Sequence, residues 1–363
     1  MVNIRTVLVA AGVVVVGAAL LLGSCTTPAS PYFKAGADNP PHHTVDGFRN
    51  NYTQIPPPPF WKWQWERLRE GLPKPPREAT PRVAPEVDFL RANSTEPTVT
   101  WIGHSTVLLQ VGSYNILTDP HLTERASPFS VVGPARHVPP GLDFDQLPHI
   151  DVVLISHSHY DHLDKPTVKR LAAQPGKPPL FIVPLGLEAW FRDIGINSVV
   201  EVDWWDRVGL GAVDIYAVPV QHTSARGLSD RNRTLWSGFY VKHRSLSVMF
   251  AGDTGYSKDF SDIRARLGPP DLLAVPIGAY EPRWFMSPQH VNPEESVRIY
   301  RDMGAKYALG IHWGTFELTD ESLDEPPRAL AAERARAGIP DDRFFVLAVG
   351  ETRRLAPLLS AAK

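Results

Sequence analysis

Asp151-Val-Val-Leu-Ile155-Ser156-His157-Ser158-His159-Tyr160-Asp161-His162 joins an unbroken apolar run to three histidines and an aspartate. The run from Asp151 to Ile155 reads as a buried strand. The polar cluster therefore emerges at a strand end, where α/β proteins place their sites. A His-x-His pair can offer two imidazoles to one ion, and Asp161 and His162, slightly further round the turn, can face a second. Zinc accepts imidazole nitrogen and carboxylate oxygen, and a catalytic zinc keeps one position open for water. A lone buried histidine usually does no more than hydrogen-bond. A cluster this dense would repel itself if protonated and has few structural uses, so the segment reads as a metal-binding turn.

Working outward, short β-like runs at Thr98–Ile102, Thr106–Val111 and Tyr114–Thr118 precede the turn, separated by Gly or polar residues. Further strand-like runs follow at Leu180–Val183, Val213–Val218, Leu235–Val241, Leu246–Phe250, Leu272–Pro276 and Tyr307–Ile311. Pro166–Ala173, Pro293–Met303 and Asp324–Ala337 read as helices, the first two with Pro in the opening turn. Strands and helices are mixed, with several hairpin-like pairs. This predicts two sheets with helices outside, an αββα sandwich, in one catalytic domain over residues 98–363. No internal sequence repeat is visible.

Residues 26–97 read as an N-terminal arm and linker. Residues 26–39 are small, polar and slack, and residues 40–97 are Pro-rich with little regular periodicity. Trp61, Trp63 and Trp65 stand in the arm among Lys62, Arg67 and Arg69. Two readings are open: the tryptophans pack the arm onto the domain, or they form a surface for the lipid headgroup region. Before the arm, Val7–Leu22 is apolar or small after a single Arg5, and is shorter than the roughly 20 residues of a bilayer span. It reads as a secretory signal. Its end, Leu22-Gly23-Ser24-Cys25, resembles a bacterial lipobox, so residues 1–25 are expected to direct export and Cys25 to carry a lipid. The expectation is an exported, membrane-anchored lipoprotein of the cell envelope. Cys25 is the only cysteine among 363 residues, so no intramolecular disulfide can brace the fold. The formal charge of −2, with no basic run, points away from nucleic acid.

His-x-His-x-Asp-His after an apolar strand is similar to the signature of the metallo-β-lactamase superfamily. The resemblance implies that superfamily's αββα fold and two zinc ions. It places further ligands at His222 in Val218-Pro-Val-Gln-His222, at Asp253 in Phe250-Ala-Gly-Asp253, and at His312 in Gly310-Ile-His312. By the same resemblance His157, His159 and His222 hold one zinc and Asp161, His162 and His312 the other, with Asp253 and a hydroxide bridging.

A closer resemblance spans residues from about 98 to 330. Thr100-Trp-Ile-Gly-His104-Ser-Thr, Leu117-Thr-Asp119-Pro, His157 to Asp164, Asp230 to Gly238 and Phe250 to Tyr256 carry its first part. Ile277-Gly-Ala-Tyr-Glu-Pro-Arg283, Gln289-His290-Val-Asn-Pro-Glu294 and Ile311-His-Trp-Gly-Thr-Phe316 carry the rest. These stretches resemble the N-acyl-phosphatidylethanolamine-hydrolysing phospholipase D family. The resemblance implies hydrolysis of a phospholipid phosphodiester to phosphatidic acid and an N-acylethanolamine. It implies Asp161 and His290 at the reacting centre, His290 donating a proton or holding the phosphate, and Asp119 supporting a metal-binding histidine. Asp164 is expected either as a similar support or as a helix cap. The arm does not match clearly, so the resemblance is weakest on substrate choice. Two rival functions remain: a lactonase or small-molecule phosphodiesterase on the same metals, and a cell-envelope binding protein with a dead site. A homodimer is compatible with the chain.

Overall fold

The alternating and continuous apolar runs assemble into two sheets in a computed structural model that describes residues 30–355 apart from residues 37 and 58. The signal segment and Cys25 lie outside the described residues. The arm supplies β1 (His43–Thr44) and β2 (Gly47–Phe48), then helices α1 (Phe60–Glu70) and α2 (Val87–Ala92). The first half of the domain follows as β3 (Thr98–Gly103), β4 (Thr106–Val111), β5 (Tyr114–Thr118), β6 (Val152–Leu154), α3 (Lys165–Ala172), β7 (Leu180–Pro184), α4 (Glu188–Asp193) and β8 (Val199–Val202). The second half is β9 (Arg207–Leu210), β10 (Val213–Val218), β11 (Gly238–His243), β12 (Leu246–Phe250), α5 (Asp259–Leu267), β13 (Leu272–Pro276), α6 (Arg283–Met286), α7 (Pro293–Met303), β14 (Tyr307–Ile311), α8 (Glu325–Ala337) and β15 (Phe344–Phe345). A last strand, β16 (Thr352–Arg354), returns to pair with β3.

Each sheet has seven strands, in the orders β16-β3-β4-β5-β6-β7-β8 and β15-β14-β13-β12-β11-β10-β9. Both open with antiparallel pairs and go over to parallel ones, at β5–β6 in the first sheet and β12–β13 in the second. The halves thus repeat one design that is invisible as sequence repetition. The parallel strands β6, β7, β13 and β14 are buried on both faces, which is why they read as continuous apolar runs. Their side chains still sort by parity. Val152, Leu154 and Ile182 face the core between the sheets, whereas Val153, Phe181 and Val183 point outward to a second core with Val168 and Leu171 of α3 and Phe191 of α4.

In the first sheet β3 and β5–β8 run the same way; in the second, β10 and β12–β15 do. Their C-terminal ends carry His104, Asp119, the 157–162 turn, His222, Asp253 and His312. The topology thereby brings to one edge six segments that the sequence spreads from residue 104 to residue 312.

The arm is laced into the domain. Phe48 lies in the inter-sheet core and Leu90 in the outer one. The Phe48 amide donates to the Asn232 carbonyl at 2.8 Å. Residues 60–70, which show little regular periodicity, form the helix α1, launched after Pro59 and closed by Gly71 in the left-handed conformation. At 100° per residue, Trp61, Trp65 and Leu68 fall on one face and Trp63 on the opposite one. Trp63 is buried, stacking on Phe285 at 4.8 Å and donating Nε1 to Asp320 at 3.0 Å. Trp61, Trp65 and Leu68 remain 64%, 65% and 68% exposed. The packing reading holds for Trp63, while Trp61 and Trp65 are free of the domain core. No helix among the described residues is long and apolar enough to cross a membrane.

Candidate metal centre

The turn after β6 presents its polar side chains inward because residues 158–163 are held from behind. Arg226 donates Nη1 to the carbonyls of Ser158 (2.8 Å) and Leu163 (2.9 Å), and its guanidinium covers the Tyr160 ring at 4.0 Å. The sequence reading assigns Arg226 no role. His157, His159 and His222 form one group of converging nitrogens, with 2.8 Å between His157 Nε2 and His159 Nδ1 and 3.2 Å between His222 Nε2 and His159 Nδ1. Asp161, His162 and His312 form a second group, joined by His104. Asp253 reaches both: its Oδ2 lies 3.0 Å from His162 Nε2 and 3.9 Å from His157 and His222 Nε2, and its Oδ1 lies 3.2 Å from His312 Nε2. The structure thus brings together all seven residues expected as ligands, in the expected two groups.

His104 is the member that residue-by-residue assignment overlooks. Its Nε2 lies 3.0 Å from Asp161 Oδ2, and its carbonyl accepts the His312 amide at 3.0 Å. The available signal was its place after a strand and Gly103, the same setting that marks the other histidines. His104, Asp119 and His312 all have left-handed backbones, at φ 53°, 34° and 61°. Such conformations are costly for non-Gly residues and concentrate where function requires them.

Further contacts fix the imidazoles. Asp119 Oδ2 lies 2.7 Å from His162 Nδ1, while its carboxylate also accepts the Ser156 amide (2.7 Å) and hydroxyl (2.6 Å). His222 Nδ1 lies 2.9 Å from the Gln289 carbonyl, which leaves Nε2 facing inward. Asn50 of the arm grips the His222 backbone from both sides, its Nδ2 donating to the carbonyl (2.9 Å) and its Oδ1 accepting the amide (3.0 Å). Asp164 stands at the N-cap position of α3, and its carboxylate accepts the Thr167 hydroxyl rather than reaching a ligand histidine. His290 sits at the rim, its Nδ1 3.9 Å from Asp253 Oδ2.

The electrostatics call for cations. Burial works against the charge of Asp161 and Asp253, yet the surrounding imidazoles outweigh it and hold both carboxyls well below the usual range. Burial likewise opposes charge on His162 and His312, but the carboxylates beside them win, carrying His162 well above its ordinary value and His312 to about 9. Burial keeps His157 and His222 well below 6.5 and draws His290 to about 4. In addition, His162 Nε2, Asp253 Oδ1, His290 Nδ1 and His312 Nε2 are buried with no aligned hydrogen-bond partner. Buried polar atoms are rarely left so. Inward nitrogens, carboxylates between them and unpartnered atoms at the focus fit a metal-binding donor set.

Two sheets that put a cradle of this kind at their shared strand ends define a metal-dependent hydrolase. The model of the Beta-lactamase superfamily domain matches residues 114–313. The chain is 40% identical over 264 residues to N-acyl-phosphatidylethanolamine-hydrolyzing phospholipase D 1 of Caenorhabditis elegans, covering 69% of this chain and 74% of that one. It is 35% identical over 260 residues to the mitochondrial N-acyl-phosphatidylethanolamine-hydrolyzing phospholipase D of Saccharomyces cerevisiae, covering 70% of this chain and 55% of that one. An isothiocyanate hydrolase from Delia radicum gut bacteria shares the fold, with a TM-score of 0.58 and 21% identity over 70% of this chain and 98% of the other. The chain belongs to the N-acyl-phosphatidylethanolamine-hydrolysing phospholipase D family of the β-lactamase superfamily, and it is an enzyme, a metal-dependent hydrolase.

Proposed function

We propose that the protein is a dinuclear zinc phosphodiesterase that cleaves N-acyl-phosphatidylethanolamine to phosphatidic acid and an N-acylethanolamine. The observation that carries this reading is the His/Asp cradle in a chain 40% identical to an N-acyl-phosphatidylethanolamine-hydrolyzing phospholipase D. His159, Asp161 and His290 are the cradle's partly exposed members. The His290 segment follows α6, whose Phe285 packs on Trp63 of α1; the opposite face of that helix exposes Trp61, Trp65 and Leu68, and Trp284 is 42% exposed. On the flank of Tyr160 an open cleft of about 720 Å³ is lined by Phe129, Trp190 and Arg226 among others. Exposed aromatic side chains on the arm suit a substrate embedded in a lipid surface. The lipobox-like Cys25 agrees with this, since an exported lipoprotein is held beside its substrate.

His157, His159 and His222 would hold one zinc, Asp161, His162 and His312 the other, and Asp253 would join them. Two zinc ions there supply charge for an anionic phosphodiester and lower the pKa of a bound water towards about 7. The chain's own residues do the positioning. Asp119 keeps the His162 Nδ1 protonated and its Nε2 free, the Gln289 carbonyl does the same for His222, and His104 holds Asp161. Burial draws the His290 pKa to about 4, and His290 either donates a proton to the leaving group or holds the phosphate. His290→Ala is expected to keep its zinc; similar losses on diesters with good and poor leaving groups mark the phosphate-holding role, and a loss confined to the poor leaving group marks the general acid.

The test is a substrate panel: N-acyl-phosphatidylethanolamine in vesicles, a nitrophenyl phosphodiester and a lactone. Release of phosphatidic acid and N-acylethanolamine, abolished by Asp253→Ala, is expected. Lactone opening with no lipid cleavage would overturn the reading.

A further inference from the structure

A second group of metal-ligating side chains lies away from the centre, where the arm meets the first sheet. His42 and His43 stand at the start of the β1–β2 hairpin, and Asp203 follows β8, the edge strand two places from β6. His42 Nε2 lies 2.6 Å from Asp203 Oδ1 and His43 Nε2 lies 2.8 Å from Oδ2. Both histidines are buried, and His42 stacks on Trp204 at 4.2 Å.

The protons of His43 decide what this group is. Its Nδ1 lies 2.9 Å from the Tyr32 carbonyl. A carbonyl oxygen only accepts, so Nδ1 carries the hydrogen. In the neutral ring Nε2 then presents a lone pair to a carboxylate oxygen, and two lone pairs at 2.8 Å require positive charge between them. A proton or a metal cation can supply it. The catalytic centre uses the same arrangement for its metal-facing imidazoles: His222 has Nδ1 on a backbone carbonyl and Nε2 inward. A backbone carbonyl on the far nitrogen is one of the usual partners of a metal-bound histidine, with carboxylate and water. The donors also sit as close as those of the centre, where His157 and His159 nitrogens are 2.8 Å apart. Two ligands of a tetrahedral zinc stand about 3.3 Å apart at bond lengths of about 2.0 Å, so both groups would open by about 0.5–0.7 Å around an ion.

We propose that His42, His43 and Asp203 form a third, structural divalent-metal site, suited to zinc, that fastens the N-terminal arm to the catalytic domain. Asp203 has 20% of its side chain exposed, which leaves room for a water as fourth ligand. The consequence reaches the centre through the chain: the hairpin leads directly to Asn50, which holds both backbone groups of His222.

Zinc per chain, measured by mass spectrometry on gel-filtered full-length protein, tests this in the wild type, Asp203→Asn and His43→Gln. Each variant is expected to carry one equivalent less than the wild type, whatever number the catalytic centre holds. The same variants should lose more thermal stability relative to the wild type when zinc is present than when it is absent. Unchanged zinc content would overturn the site and leave an imidazolium–carboxylate pair. If either variant fails to fold, anomalous scattering at the zinc edge from wild-type crystals decides. A peak bonded to both Nε2 atoms and Asp203 is expected, and its absence sinks the proposal.

Discussion

Asp119→Asn changes one atom in a fully enclosed position, and its effect can be worked out from three contacts. The Ser156 amide, the Ser156 hydroxyl and His162 Nδ1 all point at the two oxygens of Asp119, at 2.7, 2.6 and 2.7 Å. Burial raises the Asp119 pKa, and His162 and Ser156 oppose that rise. A carboxylate accepts from all three, whereas an amide offers one acceptor and one donor. The Ser156 amide cannot turn away, so the Asn oxygen stays with it and the NH₂ faces His162. The imidazole must then take the other tautomer, with its hydrogen on Nε2, the atom meant for metal. An unsatisfied buried group costs about 1–3 kcal/mol, and loss of an outer hydrogen bond to a metal ligand lowers metal affinity or activity by about 10–100-fold. At about 1.4 kcal/mol per tenfold, these two ranges agree. The expected result is kcat/KM down about 10–100-fold with weaker zinc binding and an unchanged fold, read by titration against a competing chelator and by circular dichroism. Zinc affinity and kcat/KM within about twofold of wild type would refute the idea that Asp119 sets the His162 tautomer.

Chelator-treated protein should be most stable near pH 6.5. Histidines held low, such as His121 and His290 at about 4, bind protons only on unfolding and cost stability as pH falls below 6.5. His162 and His312, held high, lose their contribution as pH rises from 6.5 through about 9. Thermal melts across this range show it, and zinc should flatten the alkaline limb; a limb identical with and without zinc would contradict the assigned charges. Replacing Trp61 and Trp65 together by Ala should slow hydrolysis on vesicles several-fold while sparing a soluble diester, since both are exposed and neither packs as Trp63 does; equal rates on vesicles would remove the lipid-facing role. Cys25→Ala should shift the protein out of the membrane fraction or leave its signal uncleaved, and normal processing and partitioning would dismiss the anchor. Asn50→Ala should weaken zinc binding through His222, with the loss absent if the arm serves only to pack.

The dense turn from His157 to His162 was legible in one dimension because six consecutive residues carry their own chemistry. The strands were legible for a similar local reason: apolar continuity marks β13 and β14, buried on both faces, alternation marks β10, and these strands with β12 fall at the expected residues. The helix α1 was not read, because tryptophans two apart show no helical repeat when only one of the three is buried. Sequence could set His222, Asp253 and His312 each after its own strand, and the family resemblance could order them. It could not bring them together, since their distances depend on which strands lie parallel and adjacent in two different sheets. Tertiary structure alone decided the contacts that orient the imidazoles. Asp119 on His162, Asn50 on His222, His104 on Asp161 and Arg226 behind the turn join residues 43, 172, 57 and 68 positions apart. A hydrogen bond needs atoms placed within a few tenths of an ångström, and across such separations only the packed sheets fix a position that finely. The sequence by itself determined that metal-binding residues sit at strand ends; the packing decided which nitrogens converge and which residues keep them there.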